Sequence, residues 1–171
     1  MQTASQEVRT FFVTSVTWRR RSIFQAEPLA RLFLDTLRHC RAQQRYLPHE
    51  FVLMPEHFHL LLTPMPAVSL EKALQLIKGG FSFRAKQEMG LNLEIWQPGP
   101  TNHRIRGTAD YARHVAYIRE NPVKRHLVAR AEEYPYSSAC RVLEVDPAPP
   151  GLKAQVRPAA LELLPPDCVA G

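Results

Sequence analysis

Two histidines separated by one residue, His57 and His59, interrupt an apolar stretch that runs from Phe51 to Leu62. If this stretch is a β-strand, alternate side chains share one face, so both imidazoles point the same way. Two neighbouring imidazoles can bind one divalent cation between them. The pair alone does not distinguish a metal site from two histidines without a function, because a His-x-His pattern is short and occurs by chance.

The other candidate residues lie on a predicted helix from residue 109 to residue 121. Plotted at about 100° per residue, this helix has an apolar arc and an opposite polar arc. The apolar arc contains Tyr111, Ala112, Val115 and Ile118, and the polar arc contains Asp110, Arg113, His114, Tyr117 and Asn121. Tyr117 is therefore off the apolar stripe and one turn before Asn121 on the same face. This position argues against a purely structural role, although a surface tyrosine would also have it.

These residue types together indicate phosphoryl-transfer chemistry. A tyrosine phenol can attack phosphorus and form a covalent phosphotyrosine, but its free pKa of about 10 requires an activating group. A divalent cation bound by His57 and His59 would polarise the phosphate and stabilise charge on its oxygens. The amide oxygen of Asn121 could complete the set of metal ligands.

The charge of the chain favours a polyanionic partner. The formal net charge is +6, and residues 144–171, with two basic and four acidic side chains, contribute −2, which leaves +8 on residues 1–143. Basic residues cluster at Arg19–Arg21, at Arg104 and Arg106, and at Lys124–Arg125. Nucleic acid is the commonest partner of such a surface, and a solvated basic surface is the alternative.

The order of predicted elements is β-α-β-β-α-β, followed by one more helix. The predicted elements are a strand at 9–18, a helix from Glu27 to about Gln44, strands at 46–54 and 56–63 joined in a tight hairpin, a helix capped by Ser69 and interrupted at Gly79–Gly80, a short strand or extended loop at 102–106, a helix capped by Thr108 that runs to about Asn121, and a second short helix from Pro122 to Leu127. This order predicts an α+β fold of the ferredoxin-like type, with helices on one face of an antiparallel sheet and a C-terminal helix carrying Tyr117.

The chain is predicted to have one domain at residues 1–143 and a C-terminal tail at 144–171. The tail contains six of the fifteen prolines and no aromatic residue, with one or two helical turns predicted at 158–164. Cys40, Cys140 and Cys168 have no paired spacing, so reduced thiols are expected. The chain has no apolar stretch that approaches a membrane span and no signal sequence at its N-terminus, so no membrane partner and a cytoplasmic location are expected.

Three blocks of sequence resemble a known family. They are VLMPEHFHLLLTP, IWQPGPTNHRIR, and AYIRENPVKRHLV followed by EYPYSS. In this order they resemble the single-tyrosine HUH transposases (IS200-like), most closely the REP-associated tyrosine transposases, over about residues 9–138. The resemblance implies a ferredoxin-like enzyme that cuts single-stranded DNA at a hairpin, such as a REP-like palindrome. It also implies a Mg²⁺ or Mn²⁺ cofactor and a 5′-phosphotyrosine intermediate.

By this resemblance, His57 and His59 match the metal-binding histidines, Tyr117 the nucleophile and Asn121 a third metal ligand. Two places depart from the family pattern: the segment Gln97–Pro100, which has proline where an aromatic residue is usual, and His126, where a small residue is usual. The basic candidates for DNA contact are Arg19, Arg20, Lys78, Arg84, His103, Arg104, Arg106, Lys124 and Arg125. For His103 and Arg106, ordinary surface polarity is an equal alternative.

Other functions and assemblies remain open at this point. A catalytically silent, domesticated protein that binds DNA hairpins would have the same fold, although it would not need all four candidate residues. An RNA-binding module is disfavoured because the expected aromatic signatures are absent. Members of the family include both monomers and homodimers.

Overall fold

The computed structural model describes residues 8–153. Four strands and three long helices form the fold. The strands are β1 (Phe11–Val16), β2 (Tyr46–Met54), β3 (His57–Pro64) and β4 (Thr101–Arg104), and the helices are α1 (Glu27–Ala42), α2 (Leu70–Met89) and α3 (Thr108–Lys124). Short 3₁₀ turns lie at Trp18–Arg20, Ile23–Gln25, Ala131–Glu133, Ser138–Cys140 and Pro150–Leu152.

The strands form one antiparallel sheet in the order β2-β3-β1-β4. β2 and β3 are joined by a two-residue turn at Pro55 and Glu56, as the sequence predicts. The central strands β3 and β1 pair with Thr14 opposite His59 and Val16 opposite His57. Together with the helix order, this topology confirms the predicted α+β, ferredoxin-like fold.

The two faces of the sheet carry different helices. Alternate strand residues such as Val13, Phe58 and Leu60 belong to a large apolar cluster with residues of α1 and α2. The intervening positions, such as Val52 and Leu61, belong to a smaller cluster with Ile118 of α3. Because strand side chains alternate, His57 and His59 share the α3 face with Leu61.

Helix α2 is continuous, so the predicted interruption at Gly79–Gly80 is wrong. Ser69 caps the helix as expected, with its hydroxyl accepting from the Lys72 N–H at 3.1 Å. Gly80 faces Thr36 of α1, where an added Cβ would lie 3.5 Å from the Thr36 Cγ2. Packing of α2 on the sheet and on α1 therefore outweighs the unfavourable helix propensity of two glycines.

Helix α3 differs from the prediction at both ends. Thr108 is the first residue of the helix, and the cap is Gly107, whose φ of 102° a glycine adopts without strain. The helix also continues through Pro122 to Lys124, instead of ending near Asn121 and restarting. Pro122 is buried in the last turn, so only one helical hydrogen bond is lost and packing compensates for it.

The described part of the predicted tail contacts the domain. Asp146 donates its backbone N–H to the Pro48 carbonyl at 2.6 Å and pairs with the Arg41 guanidinium at 2.9 Å. Val145 and Leu152 pack against the two apolar clusters. The boundary at residue 143 stays a prediction, and the helical turns predicted at 158–164 lie outside the described residues.

Two of the cysteines lie in the described part of the chain, where Cys40 is buried and Cys140 exposed, and both are free thiols as expected. Cys168 lies outside it. Among residues 8–153, no helix has the length and apolar character that crossing a membrane requires.

Candidate active site and metal centre

His57 and His59 lie side by side on β3, facing α3. Their Nε2 atoms are 3.1 Å apart, and their rings are nearly perpendicular, with centroids 4.6 Å apart. Two ligands at neighbouring corners of an octahedron with bonds of about 2.1 Å lie about 3.0 Å apart. The spacing of the two nitrogens therefore fits one metal ion bound by both.

The opposite nitrogen of each ring has a protein partner. His57 Nδ1 is 3.1 Å from Glu56 Oε1, and His59 Nδ1 is 2.7 Å from the Thr14 hydroxyl. The Glu56 carboxylate can only accept, so His57 Nδ1 donates and its Nε2 presents a lone pair. Thr14 can accept from His59 in the same way, which would leave both Nε2 atoms available to a cation.

Burial keeps both imidazoles neutral. Desolvation lowers the pKa of His57 below its ordinary value, although Glu56 opposes this shift. Desolvation and the neighbouring His57 lower the pKa of His59 to about 3. The neutral imidazole is the form that binds metal ions, so the pair needs no deprotonation at neutral pH.

Tyr117 lies beside the histidine pair. Its ring is 5.2 Å from the His59 ring and 5.8 Å from the Phe12 ring, measured between centroids. The residue is 45% exposed, so Tyr117 is in part open to solvent. The structure therefore brings together, across some sixty residues of chain, the tyrosine and the histidines that the sequence analysis singled out.

Asn121 is one turn after Tyr117 on α3. Its Oδ1 atom is buried and has no hydrogen-bond partner. A buried amide oxygen without a partner costs about 1–3 kcal/mol, so such an atom calls for an explanation. A bound metal ion would explain the missing partner, because an amide oxygen is a ligand for hard divalent cations. The donor set of two imidazoles and one amide oxygen thus fits a divalent metal.

A second group that could bind a metal lies where β4 meets α3. The ligand atoms of His103, Asp110 and His114 are all within 4.8 Å of one another. In contrast to Asn121, however, Asp110 has protein partners: it accepts from His103 Nε2 at 2.8 Å and from the Arg106 backbone N–H at 2.9 Å. These interactions satisfy the group without an ion.

Two of the predicted DNA-contact residues lie next to the candidate site, at Glu56 beside His57. Arg20 and Arg125 approach Glu56, with nitrogen–oxygen distances of 3.9 and 2.6 Å. Arg19 and Arg20 both have positive φ, in a strained turn directly after β1.

The other predicted contacts on this side lie on β4 and at the end of α3. His103 and Arg104 are on the edge strand β4, and Arg106 follows it. Lys124 is the last residue of α3 and pairs with Glu120 at 3.0 Å.

Lys78 and Arg84 lie elsewhere. Both are on α2, which packs on the opposite face of the sheet from the histidines. Lys78 lies over the Trp96 ring at 5.5 Å, and Arg84 pairs with Glu88 at 2.9 Å. Their predicted contact with DNA stays a prediction, separate from the histidine site.

Sequence reasoning missed three residues of the site: Thr14, Glu56 and Phe12. Phe12 stacks on His59 with centroids 5.3 Å apart, and it also contacts Tyr117. Glu56 carried a signal, since an acidic residue next to His57 in an apolar hairpin needs partners when it is buried. Thr14 and Phe12 carried none, because only the pairing register of β1 with β3 places them there.

Comparison with known proteins identifies the family. A family model described as "Transposase IS200 like" matches residues 7–121. The REP-associated tyrosine transposase of Escherichia coli K12 is 33% identical over 144 residues, which cover 77% of this chain and 81% of that protein. A putative REP-associated tyrosine transposase of Haemophilus influenzae is 29% identical over 55% of this chain and 59% of its own length.

A solved structure agrees with these sequences. The structure of a REP-associated tyrosine transposase bound to a REP hairpin superposes with a TM-score of 0.66 and 27% identity, over 82% of this chain and 84% of that one. The family model covers more than half of the chain, and the Escherichia coli protein is similar over most of its length. The chain therefore belongs to the IS200-like transposase family.

Proposed function

We propose that this chain is a metal-dependent endonuclease and strand transferase that cuts single-stranded DNA at a hairpin through a 5′-phosphotyrosine intermediate. The observation that carries the proposal is the position of Tyr117 beside the histidine pair, with an unpaired amide oxygen one turn later on the same helix. The Nε2 atoms of His57 and His59 are 3.1 Å apart, the Tyr117 ring is 5.2 Å from His59, and the Asn121 Oδ1 is buried without a partner.

The proposed reaction is a transesterification at phosphorus. The Tyr117 oxygen attacks the phosphate, the bond from phosphorus to the 3′ oxygen breaks, and the phenol proton passes to solvent or to the leaving 3′ oxygen. The products are a 5′-phosphotyrosine and a free 3′-hydroxyl. In strand transfer a 3′-hydroxyl attacks the phosphotyrosine and releases the phenol, so no external energy source is needed.

The cation would be held by His57, His59 and Asn121. When bound, it supplies charge stabilisation for the phosphate oxygens. Mg²⁺ prefers oxygen ligands, whereas imidazole suits transition metals better. We therefore expect Mn²⁺ to support cleavage at lower concentration than Mg²⁺.

The proposed substrate is a DNA hairpin of the REP type. This rests on the relative whose structure contains a REP hairpin and on the +8 formal charge of residues 1–143. The histidines and Tyr117 converge within one chain, which supports a monomer as the catalytic unit. A homodimer would not be needed to complete the site.

Comparing the parent protein with Tyr117→Phe tests the proposal. Labelled single-stranded DNA carrying a REP-like hairpin is incubated with each protein and Mn²⁺ or Mg²⁺, and denaturing gels resolve cleaved DNA and covalent adduct. We expect both products from the parent and neither from the variant, because phenylalanine lacks the attacking oxygen. Cleavage that persists in Tyr117→Phe would remove the nucleophile assignment.

A companion variant, His57→Ala, separates chemistry from binding. It should abolish cleavage while largely preserving hairpin affinity, because contacts of Lys and Arg with phosphates dominate that affinity. If the parent protein binds hairpins but yields no product with either ion, the alternative of a silent, domesticated hairpin-binding protein is favoured.

A further inference from the structure

Glu56 is a buried carboxylate that contacts both halves of the candidate site. It lies in the turn between β2 and β3 and is 6% exposed. Its main-chain carbonyl accepts from the Thr17 N–H and from the Thr17 hydroxyl, both at 2.9 Å, which fixes the turn to the end of β1. Acidic residues are rarely buried without partners, so the contacts of the side chain indicate its role.

The first of these contacts is with His57. Glu56 Oε1 is 3.1 Å from His57 Nδ1, on the side of the ring away from His59. A carboxylate that accepts from one imidazole nitrogen selects the tautomer, fixes the ring orientation and raises the basicity of the other nitrogen. Here that other nitrogen is the Nε2 atom proposed to bind the ion.

The second contact is with the end of α3. Arg125 Nη1 donates to the same Oε1 atom at 2.6 Å. Arg125 directly follows the last residue of α3, and its backbone N–H donates to the Asn121 carbonyl at 3.1 Å. One carboxylate oxygen therefore joins the metal-binding strand to the helix that carries Tyr117 and Asn121.

We propose that Glu56 is a positioning residue that couples the two halves of the site. It holds His57 with Nε2 turned towards the ion, and through Arg125 it holds the C-terminal end of α3 against the β2–β3 turn. In this role Arg125 pairs with Glu56 and does not contact DNA. This inference rests on the proposed function, in which His57 binds the ion and Tyr117 attacks the phosphate.

The test uses three variants of the full-length chain: Glu56→Gln, Arg125→Ala and Arg125→Lys. Three quantities are measured for each: the affinity of the DNA-free protein for Mn²⁺ by electron paramagnetic resonance, the affinity for a REP-like hairpin in EDTA at several salt concentrations, and the single-turnover cleavage rate at saturating Mn²⁺. Thermal unfolding establishes that each variant is folded.

The expected results differ between the two residues. Glu56→Gln should weaken Mn²⁺ binding by about 10- to 100-fold, as is typical when a partner of a ligating histidine is changed. Arg125→Ala should leave hairpin affinity unchanged and weaken Mn²⁺ binding less than Glu56→Gln does, because His57 and His59 keep their orientation, but it should slow cleavage by about tenfold or more, because a small displacement of the nucleophile is costly. Arg125→Lys should recover part of the rate, because an ammonium can still pair with Glu56.

Glu50→Gln is the matched control. Glu50 is also buried and pairs with an arginine of α3, Arg119, at 3.0 and 3.2 Å, but no hydrogen bond links it to either histidine. The control is expected to keep the parent affinity for Mn²⁺. Equal losses of Mn²⁺ affinity in Glu50→Gln and Glu56→Gln would mean general loosening of the fold and would overturn the proposal.

Two further outcomes would overturn it. Unchanged Mn²⁺ affinity in Glu56→Gln would remove the role of Glu56 in orienting His57. Weaker hairpin binding with a shallower salt dependence in Arg125→Ala would make Arg125 a phosphate contact. If the parent protein binds Mn²⁺ but does not cut DNA, the proposed function fails, while the Mn²⁺ comparison still decides the role of Glu56.

Discussion

Buried polar atoms distinguish the candidate site from the rest of the described chain. Among residues 8–153, two buried side-chain oxygens have no hydrogen-bond partner, Ser15 Oγ and Asn121 Oδ1. Ser15 pairs with Phe58 in the sheet and faces the α1–α2 side, whereas Asn121 is on the helix that covers the histidines. An amide oxygen is a possible ligand for a divalent cation, so the unpaired oxygen of Asn121 is the one of the two that bears on the candidate site.

Asp110 shows the opposite behaviour, since its carboxylate has several donors. Burial opposes its ionisation, but the Arg106 backbone N–H and the His103 ring lower its pKa to about 2 from the ordinary 3.8. Because the folded pKa is depressed, the stabilisation is fully present above pH 3.8 and is lost as the pH falls towards 2.

We therefore predict that Asp110→Asn lowers the free energy of unfolding at pH 7 by about 1 kcal/mol, a modest value because the carboxylate lies close to the solvent-exposed His103. Urea unfolding at pH 7, and in steps from pH 4 down to pH 2, measures the difference in free energy of unfolding between the parent and the variant. The difference between the two proteins should shrink across the acidic range. A difference that stays constant would contradict the assigned pKa.

At the scale of elements, the long helices owe their lengths to packing more than to intrinsic propensity. α2 continues through Gly79 and Gly80, and α3 continues through Pro122. Residues that would end an isolated helix are tolerated where one face of the helix is buried against the sheet. For α3 this continuity means that Tyr117 and Asn121 lie on one helix, whose last turn leads directly into Arg125.

The continuity of α2 yields a prediction for Gly79→Ala. Gly79 is exposed, and an added Cβ would meet no atom within 4 Å. Alanine should raise the free energy of unfolding by about 1 kcal/mol, which corresponds to a Tm about 2–4 °C higher. Gly90→Ala is the control, because Gly90 has a φ of 64° and the same change should destabilise there. A lower Tm for Gly79→Ala would instead indicate that α2 must flex at this point.

At the scale of the whole molecule, the sheet separates the side that packs on α1 and α2 from the side that carries the candidate site. α1, α2 and the larger apolar cluster lie on one face, and the histidines, Tyr117 and α3 lie on the other. The start of the predicted tail is held to the domain through Asp146, Arg41 and Pro48. Residues just after position 143 therefore contribute to the fold.

Two truncations measure that contribution. Deletion of residues 144–171 should lower the free energy of unfolding by about 2 kcal/mol or more, since it removes a bidentate ion pair and the packing of two partly buried apolar side chains, Val145 and Leu152. Deletion of residues 154–171 leaves those contacts in place and is the matched control. Chemical denaturation of both proteins makes the comparison. Equal stabilities of the two truncated proteins would contradict a structural role for residues 144–153.

The sequence by itself determined the order of the elements, the hairpin that carries the histidines and the polar face of the helix that carries Tyr117. These features follow from hydrophobic periodicity and turn residues, which act over a few neighbouring positions. The sequence also carried the resemblance to the family, through three motifs in order.

Only the tertiary structure decided how far the helices extend and which residues surround His57 and His59. Helix ends at Gly79–Gly80 and Pro122 depend on burial against the sheet, which local propensity does not include. The positions of Thr14 and Phe12 depend on strand register, and the hydrogen bond from Arg125 to Glu56 joins residues 69 positions apart. Long-range pairing of this kind sets the orientation of the candidate side chains, and it is decided by packing of the whole chain.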